Sequence, residues 1–292
     1  MRDKNILIIG GSGLLGNKLR ITLEKNGYKV FSTYYKNKID EVNNFFLDIT
    51  DRKDVDYNLK KSNPDIIVHT AAYTNVDECE KNKDIAFKIN VEGTKNLVDF
   101  AKRIDSKFVY ISTDYVFDGM KGNYAEDDET NPVNYYGWTK LKGEQIISKG
   151  IDDFIIARTS VIYGVNKNNF ALWIINNLKN NKKINIVDDQ FISPTYNVDL
   201  CEQLFSVINN NKCGIFHTAG GERISRYNFS IKLSEMFGFN KENINKISMK
   251  DLKWLAKRPM DSSLDISKIS KFKKPYTINK SLHLLKKELW GD

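Results

Sequence analysis

The chain has 292 residues, 41% of them hydrophobic, so it can bury a sizeable core and form one large unit with a smaller lobe. Its net charge of +8 is spread evenly, without a basic block or a stacking-aromatic motif, which argues against nucleic-acid binding. No apolar stretch approaches a membrane span and the N-terminus is unlike a secretory signal, so we expect a cytoplasmic protein without a membrane partner.

The first feature along the chain is an apolar strand followed by a glycine-rich turn and an amphipathic helix that ends at Gly27. In such a turn Gly10 allows the tight bend, Gly13 lets the backbone approach a pyrophosphate, and Gly16 lets the helix pack against the sheet. The free N–H groups of the first helical turn then favour phosphate. The order predicts a dinucleotide site. Its expected contacts in this turn are Gly10, Ser12, Gly13, Leu14, Leu15 and Gly16.

The end of the second predicted strand, 28–34, bears on the choice of cofactor. NAD-specific sites usually place an acidic residue about 20 residues beyond the glycines. Here the stretch 32–38 has no acid, the next being Asp40, and it contains Lys36 and Lys38. Lys36 can pair with a 2′-phosphate, which favours NADP(H), while NAD stays open. The alternative is that both lysines are solvated loop charges.

Strands and helices alternate through the rest of the chain, the pattern of a parallel sheet covered on both faces. The further predicted strands are 65–69, 107–112, 153–158 and 214–217, and the further predicted helices are 55–62, 84–103, 136–147, 170–178, 198–208 and 225–237. We therefore predict an α/β, doubly wound parallel sheet of the Rossmann type. Residues 1–160 mainly bind the dinucleotide, and 161–292 form a substrate lobe interleaved with completion of the sheet.

Tyr136 and Lys140 lie four residues apart in a predicted helix and so share one face. An ammonium beside a phenol favours the ionised phenol, and a tyrosine tuned in this way can donate or accept a proton. Thr113, at the end of an apolar strand, can hold a substrate oxygen while Tyr136 protonates it. For the pair alone, a solvated helix face is the alternative. Together with the glycine turn, the trio predicts carbonyl reduction.

These motifs resemble the extended short-chain dehydrogenase/reductase superfamily, most closely the dTDP-4-dehydrorhamnose reductases. The matching segments are Gly-x-x-Gly-x-x-Gly from Gly10, then 63–77, 112–119, 136–144, 158–160, 168–170, 189–190, 193–195 and 258–259. The resemblance implies reduction of a nucleotide-linked 4-keto sugar. It also implies that Asp48 and Ile49 flank the adenine, while Thr70, Ala71 and Ala72 pass close to the ribose and phosphates of the cofactor.

Several loop residues are candidates for binding the substrate. Besides Thr113 they are Asp114, Val161, Asn169, Gln190 and Arg258. Arg258 is the candidate for the substrate diphosphate, because a guanidinium binds phosphate oxygens in a bidentate fork; an exposed arginine without a ligand is the alternative. Many family members have tryptophan where this chain has Val161, so a different nucleotide or deoxysugar is compatible.

Two other functions stay open. Related dehydratases carry glutamate where this chain has Tyr115, because elimination of water needs an additional acid and base, so dehydration is disfavoured. An epimerase can use the same tyrosine and lysine. The chain also resembles the regulatory beta subunit of methionine adenosyltransferase, which binds NADP and acts through a partner protein. Cysteine and histidine spacing predicts no metal site, and a homodimer is left open.

Overall fold

The computed structural model describes residues 4–38 and 42–291. Its strands are β1 (Asn5–Ile9), β2 (Lys29–Tyr34), β3 (Asn44–Phe46), β4 (Ile66–His69), β5 (Lys107–Thr113), β6 (Phe154–Thr159), β7 (Ile162–Tyr163), β8 (Ile184–Val187), β9 (Phe191–Ile192), β10 (Thr195–Tyr196), β11 (Gly214–His217), β12 (Ile224–Ser225) and β13 (Ile244–Ile247). Its α-helices are α1 (Leu14–Lys25), α2 (Arg52–Leu59), α3 (Val76–Lys81), α4 (Lys83–Phe87), α5 (Gly93–Arg103), α6 (Tyr135–Gly150), α7 (Phe170–Lys179), α8 (Asn197–Asn209), α9 (Arg226–Phe237), α10 (Ser267–Ser270) and α11 (Ile278–Trp290). Within the described ranges, no helix combines the length and apolarity needed to cross a membrane.

Seven strands form one parallel sheet in the order β3, β2, β1, β4, β5, β6, β11. Ile8 in the middle of the sheet is paired with Ser32 on one side and Val68 on the other. The order of strands reverses between β1 and β4, and ligands of such sheets bind outside the carboxyl ends of the strands at this point. The prediction of a doubly wound parallel sheet is confirmed.

The two faces of the sheet are covered by different helices because successive side chains of a strand point to opposite faces. Ile6 and Ile8 pack with α1 and α8 on one face. Leu7 and Ile9 pack with α2, α5 and α6 on the other. A strand buried on both faces has no polar positions, which explains the unbroken apolar run in the sequence.

The C-terminal lobe has a core of its own, built from α7, α9, α11 and β8. Phe170 of α7 stacks on Phe229 of α9, with ring centroids 6.0 Å apart. The chain nevertheless returns to the main sheet between these elements, where β11 pairs with β6. The lobe is therefore anchored to the sheet edge rather than joined by a single linker.

Two helical segments differ from the sequence prediction. The helix predicted over 84–103 is interrupted by a π-helical turn, Lys88–Glu92, which carries Asn90 inward. There the Asn90 amide accepts a hydrogen bond from Tyr73 N (2.8 Å) and donates one to Tyr73 O (3.0 Å). Residues 278–290, for which no element is predicted, form α11 and bury Leu282 and Leu285 completely.

Candidate active site

A cavity of about 710 Å³ opens at the carboxyl ends of the central strands and reaches across to the C-terminal lobe. The predicted site residues that line it are Gly10, Ser12, Gly13, Leu14, Leu15, Gly16, Lys36, Thr70, Ala71, Ala72, Thr113, Asp114, Tyr136, Lys140, Val161 and Asn169. They come from the ends of β1, β2, β4, β5 and β6, from α1 and α6, and from the N-cap of α7. The fold thus brings the glycine turn and the Thr-Tyr-Lys trio into one space.

The glycine turn can be built only without side chains at two of its positions. Gly10 has φ +86°, and a Cβ atom there would lie 2.9 Å from the backbone nitrogen of Ala71. A Cβ atom on Gly16 would overlap the carbonyl oxygen of Gly10. Gly13 is the N-cap of α1 and has no side chain to occupy the first N–H groups of that helix. The turn therefore offers backbone donors to the cavity, the chemistry that a pyrophosphate requires.

Hydrogen bonds position two of the three catalytic candidates, Tyr136 and Thr113. Asn134 caps α6, its Oδ1 accepting from Gly137 N at 2.9 Å, so that Tyr136 lies in the first turn. The Tyr136 phenol is hydrogen-bonded to the Thr113 hydroxyl. Thr113 Oγ1 donates to Asp114 Oδ1 (3.0 Å) and accepts from the backbone N–H of the next residue but one (3.2 Å). Because a hydroxyl has one proton, Thr113 donates either to Asp114 or to the ionised Tyr136 phenol, and donation to the phenol favours its ionised form.

The pKa values of the pair differ from the simple expectation of an ammonium tuning a phenol. Burial raises the pKa of Tyr136, and the hydrogen bond with Thr113 offsets only part of that effect. Burial lowers the pKa of Lys140 to about 7, against the opposing charge of Glu144. The expected net lowering of the phenol pKa is therefore absent. At neutral pH the phenol keeps its proton, as a proton donor must.

The amine of Lys140 packs on the face of the Tyr110 aromatic ring. Lys140 Nζ lies 3.9 Å from the centroid of that ring. One turn further along α6, Glu144 is bound by Arg158 (2.8 Å) and Ser112 (2.5 Å) in a buried network. Lys140 is thus held by a π face and a neutralised carboxylate rather than by a direct ion pair, and its amine can face the cavity.

Asp114 is a buried carboxylate satisfied by three hydroxyl groups. Thr113, Ser160 (2.8 Å) and Ser262 (2.5 Å) all donate to it. Burial raises the pKa of Asp114, and these hydrogen bonds oppose the rise. The carboxylate therefore ties the end of β5 to two distant loops and fixes the orientation of the Thr113 hydroxyl.

Two predicted cofactor residues lie outside the cavity lining. Asp48 Oδ1 accepts from Thr50 N (2.9 Å) and Thr50 Oγ1 (2.8 Å), so its side chain stabilises a turn. The Ile49 side chain is buried against Gly93. Asp40, the first acid after β2, lies outside the described residues.

Two predicted substrate residues also lie outside the lining. A third lies within it, but its side chain already accepts a hydrogen bond from the backbone. Gln190 is buried, and Arg258 forms an ion pair with Asp77, with Nη1–Oδ1 and Nη2–Oδ2 distances of 3.0 Å. Asp77 lies 181 residues away in sequence, so no local motif could indicate that the two side chains form an ion pair. Asn169 lines the cavity, but its side chain caps α7 by accepting from Leu172 N (3.2 Å).

The lining also contains residues that were not among the sequence candidates, and three of them bear on the chemistry of the site. Tyr115 packs edge-on against Tyr136, with ring centroids 6.2 Å apart. Phe170 and Arg226 line the side formed by the C-terminal lobe. Tyr115 directly follows Asp114, and in the sequence it indicates only that dehydration is disfavoured. Arg226 belongs to no motif. In the part of the chain that the structure describes, no cluster of three or more His, Cys, Asp or Glu side chains is arranged to hold a metal.

Known proteins are similar to this chain over nearly its whole length. A family model described as RmlD substrate binding domain matches residues 4–287. A dTDP-4-dehydrorhamnose reductase from Aggregatibacter actinomycetemcomitans is 35% identical over 277 residues, covering 90% of this chain and 91% of that protein. Methionine adenosyltransferase 2 subunit beta from Bos taurus is 28% identical, covering 91% of this chain and 82% of that protein.

A solved structure is also similar over nearly the whole chain. It is the dTDP-4-dehydrorhamnose reductase from Bacillus anthracis in complex with NADP, 31% identical, with a TM-score of 0.90. The match covers 98% of this chain and 99% of that one. The similarity therefore includes both the sheet and the C-terminal lobe.

Proposed function

This chain belongs to the RmlD substrate binding domain family, and on that premise we propose that it reduces the 4-keto group of a nucleotide-linked 6-deoxysugar with NADPH, as a dTDP-4-dehydrorhamnose reductase does. The observation that carries the proposal is one cavity lined by the glycine turn, Thr113, Tyr136 and Lys140. A protein that only binds a dinucleotide has no need of a phenol that keeps its proton beside a hydroxyl and an amine.

The residues present fit NADP. The donors of the glycine turn suit the pyrophosphate, and the exposed Lys36 at the same end of the cavity suits a 2′-phosphate. A relative similar over nearly the full length was solved in complex with NADP. We place the dinucleotide against residues 1–160 and the sugar nucleotide against the lobe of 161–292. A homodimer and a cytoplasmic location stay predictions.

The proposed mechanism assigns one task to each member of the trio. When bound, the cofactor supplies the hydride that reduces the carbonyl carbon. Tyr136 holds its proton until negative charge develops on the carbonyl oxygen, and then donates it. Thr113, oriented by Asp114, fixes the phenol through their hydrogen bond. Lys140 stabilises the phenolate left behind, since a nearby ammonium favours the ionised form.

Oxidation of NADPH with a panel of 4-keto-6-deoxysugar nucleotides, differing in base, tests this proposal. We expect stoichiometric oxidation with at least one of them, and a sugar reduced at C4. No turnover with any member of the panel would contradict the proposal.

The panel also separates the two alternative functions. The similarity to the methionine adenosyltransferase beta subunit favours a regulatory role as the second candidate. That candidate predicts capture of a synthetase and no sugar reduction. An epimerase would instead convert a sugar nucleotide without net oxidation of the cofactor.

A further inference from the structure

Two helices begin at the end of the cavity that lies against the C-terminal lobe. Asn169 is the N-cap of α7, and Arg226 is the first residue of α9. Both residues line the cavity. The N-terminal end of a helix carries partial positive charge, so two such ends favour an anion at this place.

Arg226 is positioned through its Nε atom, which leaves its two terminal nitrogens available to bind a ligand. Its Nε donates to Gln190 Oε1 at 2.6 Å, and its guanidinium carbon lies 4.7 Å from the Phe170 ring centroid. Gln190 is in turn fixed by a bond from Nε2 to Pro259 O at 3.2 Å. Within residues 4–38 and 42–291, the Arg226 guanidinium makes one hydrogen bond, from Nε, and its charge lies close enough to Asp114 to oppose the rise that burial causes in the pKa of that carboxyl. The buried Gln190 therefore orients a guanidinium whose forked end stays available.

The other cations of the cavity wall have different surroundings. Among the described lining residues the cationic side chains are Lys36, Lys140 and Arg226. Lys36 lies at the end with the glycine turn, and Lys140 is buried against an aromatic ring beside Tyr136. Arg226 is thus the cation on the side of the lobe, where the part of the substrate remote from the cofactor has to lie.

A chain of contacts connects the Tyr136 phenol with Arg226 along the cavity wall. Tyr136 contacts Tyr115, whose hydroxyl lies 3.5 Å from Gln190 Nε2, and Gln190 contacts Arg226. In a hexopyranose ring the glycosidic oxygen at C1 lies across the ring from C4. A sugar with its C4 oxygen at Tyr136 and its ring over Tyr115 can therefore direct its diphosphate towards Arg226.

Resting on the proposed function, we propose that Arg226 is the residue that binds the diphosphate of the sugar nucleotide, in place of Arg258. The guanidinium of Arg258 is already taken up by Asp77 and by Ala256 O, the latter at 2.8 Å. Arg226 offers a free bidentate fork beside two helix N-termini, and guanidinium matches phosphate oxygens in that geometry. Gln190 acts as its positioning residue.

Titration calorimetry of the NADP-loaded protein tests this assignment with the nucleoside diphosphate, nucleoside monophosphate and nucleoside of the same base. For Arg226→Met, we expect affinity for the diphosphate to fall by roughly 10- to 100-fold, since charge-assisted hydrogen bonds are lost. Affinity for the nucleoside should hardly change. Arg226→Lys should be intermediate, because an ammonium keeps the charge but not the fork.

Arg223→Met is the matched control. The Arg223 guanidinium pairs with Asp261 outside the cavity lining, so its loss should leave diphosphate affinity unchanged. Diphosphate binding that survives in Arg226→Met but is lost in Arg258→Met would overturn the proposal, as would a wild-type protein that binds no nucleoside diphosphate. If instead binding depends on Arg226 while no 4-keto sugar is reduced, the reductase proposal fails and this assignment stands.

Discussion

The charge of the Lys140 side chain changes with pH near neutrality. Its pKa is lowered to about 7 by burial, whereas the pKa of a lysine in the unfolded chain is about 10.4. Below about pH 7 both states carry the proton, and the folded state bears the full cost of a buried ammonium. Between these pKa values only the unfolded state carries it, so stability rises with pH, by up to about 1.4 kcal/mol per pH unit.

Replacing Lys140 by Met should therefore flatten the pH dependence of the free energy of unfolding of the cofactor-free protein between about pH 7 and about pH 10. Urea titrations across that range measure the effect. Lys149→Met, at an exposed position of the same helix, is the control and should keep the wild-type slope. Equal slopes for Lys140→Met and wild type would show that this amine is not the buried titrating group.

Arg226 and Arg258 show which site residues the sequence can predict. Gly10 and Tyr136 were found because a local motif places them, and the motif needs only a few neighbouring residues. Arg258 was named from a similar local match, but its partner Asp77 is brought to it by the fold. Arg226 has no motif at all, since it reaches the cavity only because α7 and α9 pack together. Residues positioned by contacts remote in sequence could not have been found.

Helix α6 carries Tyr136 and Lys140, and its distance from β5 is set by a glycine. A Cβ atom on Gly137 would overlap the carbonyl oxygen of Tyr115. That oxygen belongs to backbone in a buried 3₁₀ turn directly after β5, so it cannot rotate away as a side chain would. The close approach of these backbones keeps the phenol within reach of Thr113.

We expect Gly137→Ala to lower the free energy of unfolding by about 1–3 kcal/mol, the usual cost of overpacking, and to lower kcat as well. Chemical denaturation and steady-state kinetics measure the two effects. Ser148→Ala, on the exposed side of α6, should change neither. If Gly137→Ala keeps both wild-type stability and wild-type kcat, the close packing of α6 does not position the phenol.

Element prediction succeeded where burial set the pattern of apolar residues. The apolar run of β4 and the i, i+4 pairing on α6 were visible in the sequence. The π turn within 84–103 was not, because it is stabilised by the contact of Asn90 with Tyr73 rather than by local preference. Helix α11 was missed although its apolar face packs against α9.

At the scale of the whole molecule, the cavity depends on both parts of the chain. The sheet supplies the glycine turn, Thr113 and the base on which α6 packs, while the lobe supplies Val161, Phe170 and Arg226. Val161 has φ +38°, a conformation in which a β-branched residue is an outlier. The chain that leaves β6 is thus turned sharply into the cavity wall at Val161.

The role of Tyr136 as proton donor is tested by the single-turnover rate of NADPH oxidation by Tyr136→Phe with the preferred 4-keto sugar nucleotide, measured beside the affinity for NADP. We expect a rate lower by about 10²- to 10⁴-fold, the usual contribution of a general acid, with NADP affinity unchanged. A near-native rate in Tyr136→Phe would contradict this role, because the proton would then have to come from another group.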